Sequence, residues 1–203
     1  MSGRSIESLG LPADDRRMDY FCVKEAVMPF GRFPGSDVVL GPEMKSTGEV
    51  MGIAGNFPAA FTKTQLAIDY EPPRGGEVFI SVNDGDKRNI TAIARSIARL
   101  GFSLVATTGT ARALRASGIE CEEVGKIHAG SHTILDRIAS GEIVLMINTP
   151  FGSSTNTDGY EMRAACVRHG VSYCTTLAGA QALIAGMEAV RETGLDVFAL
   201  QDL

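Results

Sequence analysis

The residues of this chain that are best suited to bind a ligand are small and carry hydroxyls, and they stand together at positions 107–110. Thr107-Thr108-Gly109-Thr110 follows the apolar run Leu104-Val105-Ala106, and a helical pattern begins at once. A loop here leaves backbone N–H groups unpaired at a helix N-terminus, where the helix dipole favours an anion. The hydroxyls add donors, and Gly109 lets a ligand approach the backbone. The pattern favours phosphate, although such a loop taken alone could simply cap the helix.

Two lysines and an amide are expected to complete this site. Lys87, Lys126 and the pair Asn148-Thr149 each follow a segment that is predicted to be a strand. Ligands of open α/β sheets bind beyond the carboxyl ends of the strands, so we expect these side chains to meet at one rim. The lysines can neutralise a phosphate dianion, and Asn148 can donate to and accept from a base or ribose. This joint placement predicts a nucleotide site.

Apolar strands and amphipathic helices alternate regularly over the second part of the chain. Helical positions repeat at three and four residues, and several predicted helices end at a glycine. This alternation predicts an α/β fold, a Rossmann-like five-stranded parallel sheet with helices on both faces. The predicted strands cover residues 78–82, 102–106, 120–124, 143–147 and 171–174, and the helices cover 87–100, 110–117, 132–140, 158–169 and 177–192.

The first part of the chain is less regular. Residues 20–28 are predicted to form a strand, and residues 56–68 a helix with Asn56 as its N-cap. Residues 41–52 contain too much glycine for a regular element to be expected there.

A stretch of linker composition separates these two parts. Residues 69–76 read Asp-Tyr-Glu-Pro-Pro-Arg-Gly-Gly. Because proline and glycine interrupt regular structure, we expect a domain boundary there, between residues 1–68 and residues 77–203.

Composition limits the class of protein. The formal net charge of −5 argues against a surface that coats nucleic acid. No apolar run approaches the roughly 18 residues of a membrane span, and no signal-peptide pattern opens the chain. Four scattered cysteines without a CxxC pair are typical of reduced thiols, so a cytoplasmic location is expected.

The histidines and cysteines do not predict a catalytic or metal site. His128 and His132 are spaced like zinc ligands, but Gly130 lies between them and no glutamate stands beside either one. Cys174 falls at the predicted rim without a base to activate it. We therefore assign no catalytic residue and no metal ligand.

Two segments of the chain resemble the large (synthetase) chain of carbamoyl-phosphate synthase. The first runs from Tyr-Phe-Cys-Val-Lys-Glu at residues 20–25 to Gly-Glu-Val-Met-Gly at residues 48–52, and it resembles the closing segment of the second ATP-grasp unit. Residues 77–203 resemble the methylglyoxal-synthase-like regulatory domain. The motifs that carry this second resemblance are Ser-Val-Asn-Asp-Gly-Asp-Lys at 81–87, Ala-Thr-Thr-Gly-Thr-Ala at 106–111, Lys-Ile-His at 126–128, Asp-Arg-Ile at 136–138 and Ile-Asn-Thr at 147–149.

The resemblance implies a function for the chain. The enzyme makes carbamoyl phosphate from glutamine-derived ammonia, bicarbonate and ATP for pyrimidine and arginine biosynthesis. It works with a glutaminase small chain and with ATP, Mg or Mn, and K, whereas no cofactor is implied for this segment. The ATP-grasp carboxylates and lysines would lie upstream of residue 1. We therefore expect a part of a larger synthetase that binds effectors without catalysing by itself and that could mediate oligomerisation.

The resemblance also implies two effector sites. The nucleotide effectors UMP and IMP would bind at the phosphate and ribose site, which matches Lys87, Thr107, Thr110, Lys126 and Asn148 here. Ornithine would bind between the two domains, at positions that match Glu25, Tyr173 and Thr175.

The chain departs from the family pattern at two positions. Pro150 stands where some members have a threonine in the nucleotide pocket, and proline lacks the backbone donor. Cys174 stands where the ornithine-responsive type has an aspartate, so a cationic amino acid loses a charge partner.

Two other functions are compatible with the same fold. A stand-alone methylglyoxal-synthase-like lyase would act on a triose phosphate, but it needs a catalytic aspartate in a Gly-Gly-Asp turn. The corresponding turn here is Ala129-Gly130-Ser131-His132, which has no carboxylate to take the substrate proton. A docking module that only holds synthetase subunits together is the third alternative.

Overall fold

A computed structural model describes residues 3, 5, 7–10, 18–32, 38–39, 45–125, 133–150, 157–197, 199 and 201. Within these residues the chain forms seven strands and six α-helices. In chain order they are β1 Phe21–Val27, β2 Gly48–Ala54, α1 Phe57–Ala67, β3 Glu77–Ser81, α2 Ile90–Arg99, β4 Ser103–Thr107, α3 Thr108–Ala116, β5 Glu122–Val124, α4 Ile134–Ala139, β6 Ile143–Asn148, α5 Thr157–His169, β7 Ser172–Cys174 and α6 Leu177–Thr193.

The second part of the chain is a five-stranded parallel sheet with the order β5-β4-β3-β6-β7. One face of the sheet packs against α2, α3 and α6, and the opposite face packs against α4 and α5. The predicted Rossmann-like sheet with helices on both faces is therefore confirmed. The chain progresses outward from β3 in both directions, so the topological switch point lies between β3 and β6.

Alternation along the central strand divides the core between these two faces. Val78 and Ile80 pack with the α2, α3 and α6 side chains, whereas Phe79 packs with those of α4 and α5. All three are fully buried. A strand with both faces covered reads as a continuous apolar run, which is why the sequence located β3 so closely.

Residues 48–54 form a strand, so the expectation that the glycine-rich stretch lacks regular structure is wrong there. β2 pairs antiparallel with β1 along its whole length. Gly52 is compatible with the strand because α1 crosses it closely: a Cβ at this position would collide with the carbonyl oxygen of Ala60. Glycine here reflects a close backbone approach and not a loop.

Helix α1 joins the hairpin to the α/β part of the molecule. Its N-cap is confirmed, since the Asn56 side chain accepts a hydrogen bond from the Ala59 backbone N–H at 2.9 Å. α1 packs against α6, and a Cβ at Gly186 would collide with the Thr62 hydroxyl. In the described part of the chain, no helix is both long enough and apolar enough to cross a membrane.

Candidate anion-binding cleft

A cleft of about 380 Å³ opens at the carboxyl edge of the sheet, at the switch point between β3 and β6. The ends of β3, β4, β5 and β6 and the N-terminal parts of α3, α4 and α5 line it. The predicted residues Thr107, Thr108, Gly109, Asn148 and Thr149 all line it. The structure thus brings five of the eight predicted nucleotide-site residues together.

The predicted loop at residues 107–110 is wrong, because β4 passes directly into α3. Thr107 ends the strand in an extended conformation and is the N-cap residue, but its side chain makes no capping hydrogen bond. Its hydroxyl lies 3.4 Å from those of both Ser81 and Thr110. The first backbone N–H groups of α3 therefore lie at the cleft, and the Thr107 side chain does not cap them.

Thr110 serves the fold and does not line the cleft. It is almost fully buried, and its hydroxyl accepts a hydrogen bond from the Val82 backbone N–H at 3.3 Å. This contact ties the first turn of α3 to the end of β3.

Lys87 lies against the N-terminus of α3. Its Nζ is 2.8 Å from where a Cβ of residue 109 would stand, so the ammonium occupies the space that Gly109 leaves open. Lys87 also forms an ion pair with Asp84, whose side chain is largely exposed. Lys126, the second predicted lysine, lies outside the described residues, as do His128 and His132.

A carboxylate lies near the same helix end. The Thr108 hydroxyl, and after it Arg115, hold the pKa of the Glu123 carboxyl below its usual value. Glu123 also pairs with Arg115 at 3.0 Å. The first turn of α3 thus has an acidic group beside it as well as the Lys87 ammonium.

Asn148 is bound by protein groups at both ends of its amide. Its Nδ2 donates to the Ser81 carbonyl oxygen at 3.2 Å, and its Oδ1 accepts from Arg163 Nη1 at 2.9 Å. The neighbouring Thr149 hydroxyl accepts from both the backbone N–H and the side-chain amide of Asn83 at 3.1 Å. Asn148 and Thr149 therefore fasten β6 to the end of β3 and to the turn that carries Lys87.

Sequence reasoning missed Arg163 and Asp158, which also line the cleft. Arg163 is only 4% exposed although arginine in a helix is usually solvated. The available signal was Gly159, since glycine in a helix costs up to about 1 kcal/mol relative to alanine and is kept where another group approaches. A Cβ there would lie 3.0 Å from Arg163 Nη1.

The second predicted site lies between the β1–β2 hairpin and β7. The Glu25 carboxylate is 2.7 Å from the Thr64 hydroxyl and also accepts a hydrogen bond from the Gln65 amide. Cys174 is the β7 residue beside Glu25: burial, and to a smaller extent the Glu25 charge, raise its thiol pKa to about 12. Tyr173 packs with the core on the opposite face of the sheet. Thr175 follows β7 at the same edge.

Tyr70 lies at the same junction. Its hydroxyl is buried and has no hydrogen bond of ordinary geometry within the described residues. Burial raises its pKa to about 12, although the nearby Ser172 hydroxyl lowers it in part. Among the residues that the structure describes, no group of three or more His, Cys, Asp or Glu side chains is arranged to hold a metal.

Comparison with known proteins agrees with the fold and the motifs. The family model of the MGS-like domain matches residues 89–175. The chain is 50% identical over 199 residues to the protein named carbamoyl phosphate synthase large chain, C-terminal section, of Methanopyrus kandleri, covering 98% of this chain and 37% of that one. It is 44% identical to the carbamoyl phosphate synthase large chain of Myxococcus xanthus, covering 100% of this chain and 19% of that one.

A solved methylglyoxal synthase from Elizabethkingia anophelis is similar at 19% identity and a TM-score of 0.44, over 55% of this chain and 78% of that one. This structural likeness is too slight to support an inference about function. The chain spans only 19% to 37% of the length of the two curated relatives. Its residues correspond to the C-terminal region of carbamoyl phosphate synthase large chains, including the MGS-like domain.

Proposed function

We propose that this chain is the effector-binding C-terminal part of a carbamoyl phosphate synthase large chain and that its cleft binds a nucleoside monophosphate such as UMP or IMP. The whole enzyme would make carbamoyl phosphate from glutamine-derived ammonia, bicarbonate and ATP for pyrimidine and arginine biosynthesis. It would act in the cytoplasm with a glutaminase small chain and with Mg or Mn and K. Residues 1–68 would be the end of the second ATP-grasp domain, residues 69–76 a linker, and residues 77–203 the regulatory domain.

The position of Lys87 carries this proposal. Its ammonium lies at the N-terminus of α3, where a helix already presents backbone N–H groups and a partial positive charge to an anion. A phosphate placed there would meet a cation and a helix end at once. The remaining cleft, with Phe79, Met162 and Ile134 on its walls, is apolar enough to take a base.

Effector binding is proposed to act on the ATP-grasp unit through the turns that surround the phosphate. Asn83 and Thr149 hold the turn of Lys87 to β6, and α1 connects the sheet to the hairpin through its contact with α6. A phosphate that fixes the turn at residues 83–87 against the first turn of α3 would therefore shift the equilibrium between two states of the ATP-grasp unit across the linker 69–76. Control of this kind requires the effector to bind two enzyme states with affinities that differ by about 1–3 kcal/mol.

Calorimetric titration of the 203-residue chain with UMP and with IMP tests the nucleotide site. We expect saturable heat for at least one of them, and a Lys87→Met variant should bind that nucleotide at least tenfold more weakly. The matched control is Lys63→Met, because Lys63 lies on α1 and donates to the Ile53 carbonyl oxygen away from the cleft. No heat at millimolar nucleotide, or equal loss in both variants, would contradict the proposal.

A stand-alone lyase that acts on a triose phosphate is a second candidate, favoured by one observation. Asp158 lines the cleft and supplies a carboxylate that can accept a proton from a bound substrate. Incubation of the chain with dihydroxyacetone phosphate, followed by assay for methylglyoxal, distinguishes the two functions. Turnover that is lost in Asp158→Asn would support the lyase, whereas absence of product would exclude it.

Ornithine is proposed as a weak ligand of the second site. Glu25 supplies one carboxylate, but Cys174 beside it is an uncharged thiol at neutral pH because its pKa is raised to about 12. A cationic amino acid therefore meets one negative charge from this pair instead of two. Calorimetry should show tighter ornithine binding by Cys174→Asp than by the unmodified chain, and equal binding would remove Cys174 from the site.

A further inference from the structure

We propose that Arg163 is a positioning residue of the cleft, which acts by fixing the orientation of the Asn148 amide. This inference rests on the proposed nucleotide function and assigns a role to a residue outside the predicted phosphate and ribose contacts. Arg163 lies on α5, with its side chain buried in the cleft wall. Its Nη1 is 2.9 Å from Asn148 Oδ1.

The two hydrogen-bond partners of Asn148 allow only one orientation of its side-chain amide. A guanidinium can only donate hydrogen bonds, and a backbone carbonyl can only accept them. Reversing the amide would set Nδ2 against Arg163 and Oδ1 against the Ser81 carbonyl, and both hydrogen bonds would be replaced by repulsive pairs. Nδ2 therefore keeps one hydrogen for the Ser81 oxygen, and its second hydrogen can be donated to a ligand.

This orientation limits the kinds of ligand group to which Asn148 can hydrogen-bond. The side chain can offer an N–H to a ligand acceptor such as a ribose hydroxyl oxygen or a base carbonyl oxygen. Its own carbonyl oxygen is held by a charged donor and desolvated, since Asn148 is 6% exposed. Arg163 thus sets the preference for an acceptor on the ligand through Asn148.

Gly159 makes this arrangement possible. A Cβ on residue 159 would lie 3.0 Å from Arg163 Nη1 and 3.5 Å from Asn148 Oδ1. The first distance is tighter than ordinary van der Waals contact, so a methyl group would push the guanidinium away from the amide. Gly159→Ala is therefore a mild perturbation of the same hydrogen bond that removes no charge.

The test compares UMP with inorganic phosphate on the 203-residue chain, by calorimetry. Arg163→Met should weaken UMP binding about tenfold while phosphate binding changes less than twofold, because the proposed phosphate position is beside Lys87 at the N-terminus of α3. Arg163→Lys, which restores a donor and the charge, should recover part of the UMP affinity. In an Asn148→Ala background, Arg163→Met should cause no further loss.

Several results would overturn the inference. Equal weakening of UMP and phosphate would mean that Arg163 acts by its charge, and additive losses in the double variant would mean that it does not act through Asn148. If Arg163→Met does not fold, Gly159→Ala provides the test, with a smaller but still selective loss for UMP expected and an unchanged affinity contradicting the role. Unmodified chain that binds phosphate but no nucleotide would overturn the proposed function itself, whereas normal UMP binding by every variant would overturn only the role of Arg163.

Discussion

Gly109→Ala should separate the affinity of the cleft for phosphate from the stability of the fold. The added Cβ would stand 2.8 Å from Lys87 Nζ and 3.4 Å from Lys87 Cε. Because the neighbour is the end of a flexible side chain, the lysine moves and the backbone stays. Gly109 lies within α3, where alanine is the better helix former, so the free energy of unfolding should stay equal or rise by up to about 0.5 kcal/mol.

The expected loss of affinity follows from the displacement of the ammonium. To restore ordinary contact Nζ must move by about 0.6 Å, for instance from ~3.0 to ~3.6 Å from a bound phosphate oxygen. With an effective dielectric constant of about 20, this weakens the attraction by about 1 kcal/mol for each unit of phosphate charge. Phosphate affinity should therefore fall roughly 5- to 30-fold, less than the roughly 10- to 150-fold expected when Lys87→Met removes a charge-assisted hydrogen bond of about 1.5–3 kcal/mol.

Calorimetry with inorganic phosphate measures the affinity, and urea unfolding measures the stability. Gly75→Ala is the control, since a Cβ at that linker glycine meets nothing within 4 Å. Gly109→Ala should have no further effect on phosphate affinity in a Lys87→Met background. Two results would refute the placement of the ammonium at the phosphate. One is an unchanged phosphate affinity in Gly109→Ala, and the other is that Gly109→Ala lowers the phosphate affinity equally in the Lys87→Met background.

Three further changes have definite expected outcomes. Arg137→Met should lower the free energy of unfolding by about 2–4 kcal/mol in urea denaturation. The buried guanidinium pairs with three glutamates, of which Glu77 at 3.2 Å is the most enclosed, and the partial exposure of the other two reduces the expected loss. A loss under about 1 kcal/mol would contradict this prediction. Asp84→Asn should strengthen phosphate binding in calorimetry about two- to threefold, since it removes an exposed competitor for Lys87, and weaker binding would argue against that competition. Burial raises the pKa of the Cys166 and Cys174 thiols to about 12. The free energy of unfolding should therefore be unaffected by these thiols below about pH 8.5 and should fall as the pH rises toward 12, by up to about 1.4 kcal/mol per pH unit for each thiol. Unfolding curves of Cys166→Ala across this range should show a shallower decline, and an equal slope would exclude that thiol.

The sequence by itself determined the architecture of the second part of the chain. Three buried apolar runs and two shorter strands alternate with helical periodicity. Each pattern depends only on neighbours along the chain, so strand and helix positions could be predicted to within a few residues. The hydroxyl-rich segment at 107–110 and Lys87 also follow strand ends, which placed them at one edge of any parallel sheet.

Only the tertiary structure decided how those residues are used. Strand order brings the ends of β3 and β6 together, and this makes Asn148 and Thr149 ties between strands in addition to candidate ligand contacts. Thr110 proved buried under the end of β3, and Arg163 reached the cleft from a helix that a linear pattern presents as solvated. The sequence did not predict β2, because Gly52 indicated a loop although it is required by the close crossing of α1. Each of these facts depends on distances between segments far apart in sequence, which local periodicity does not encode.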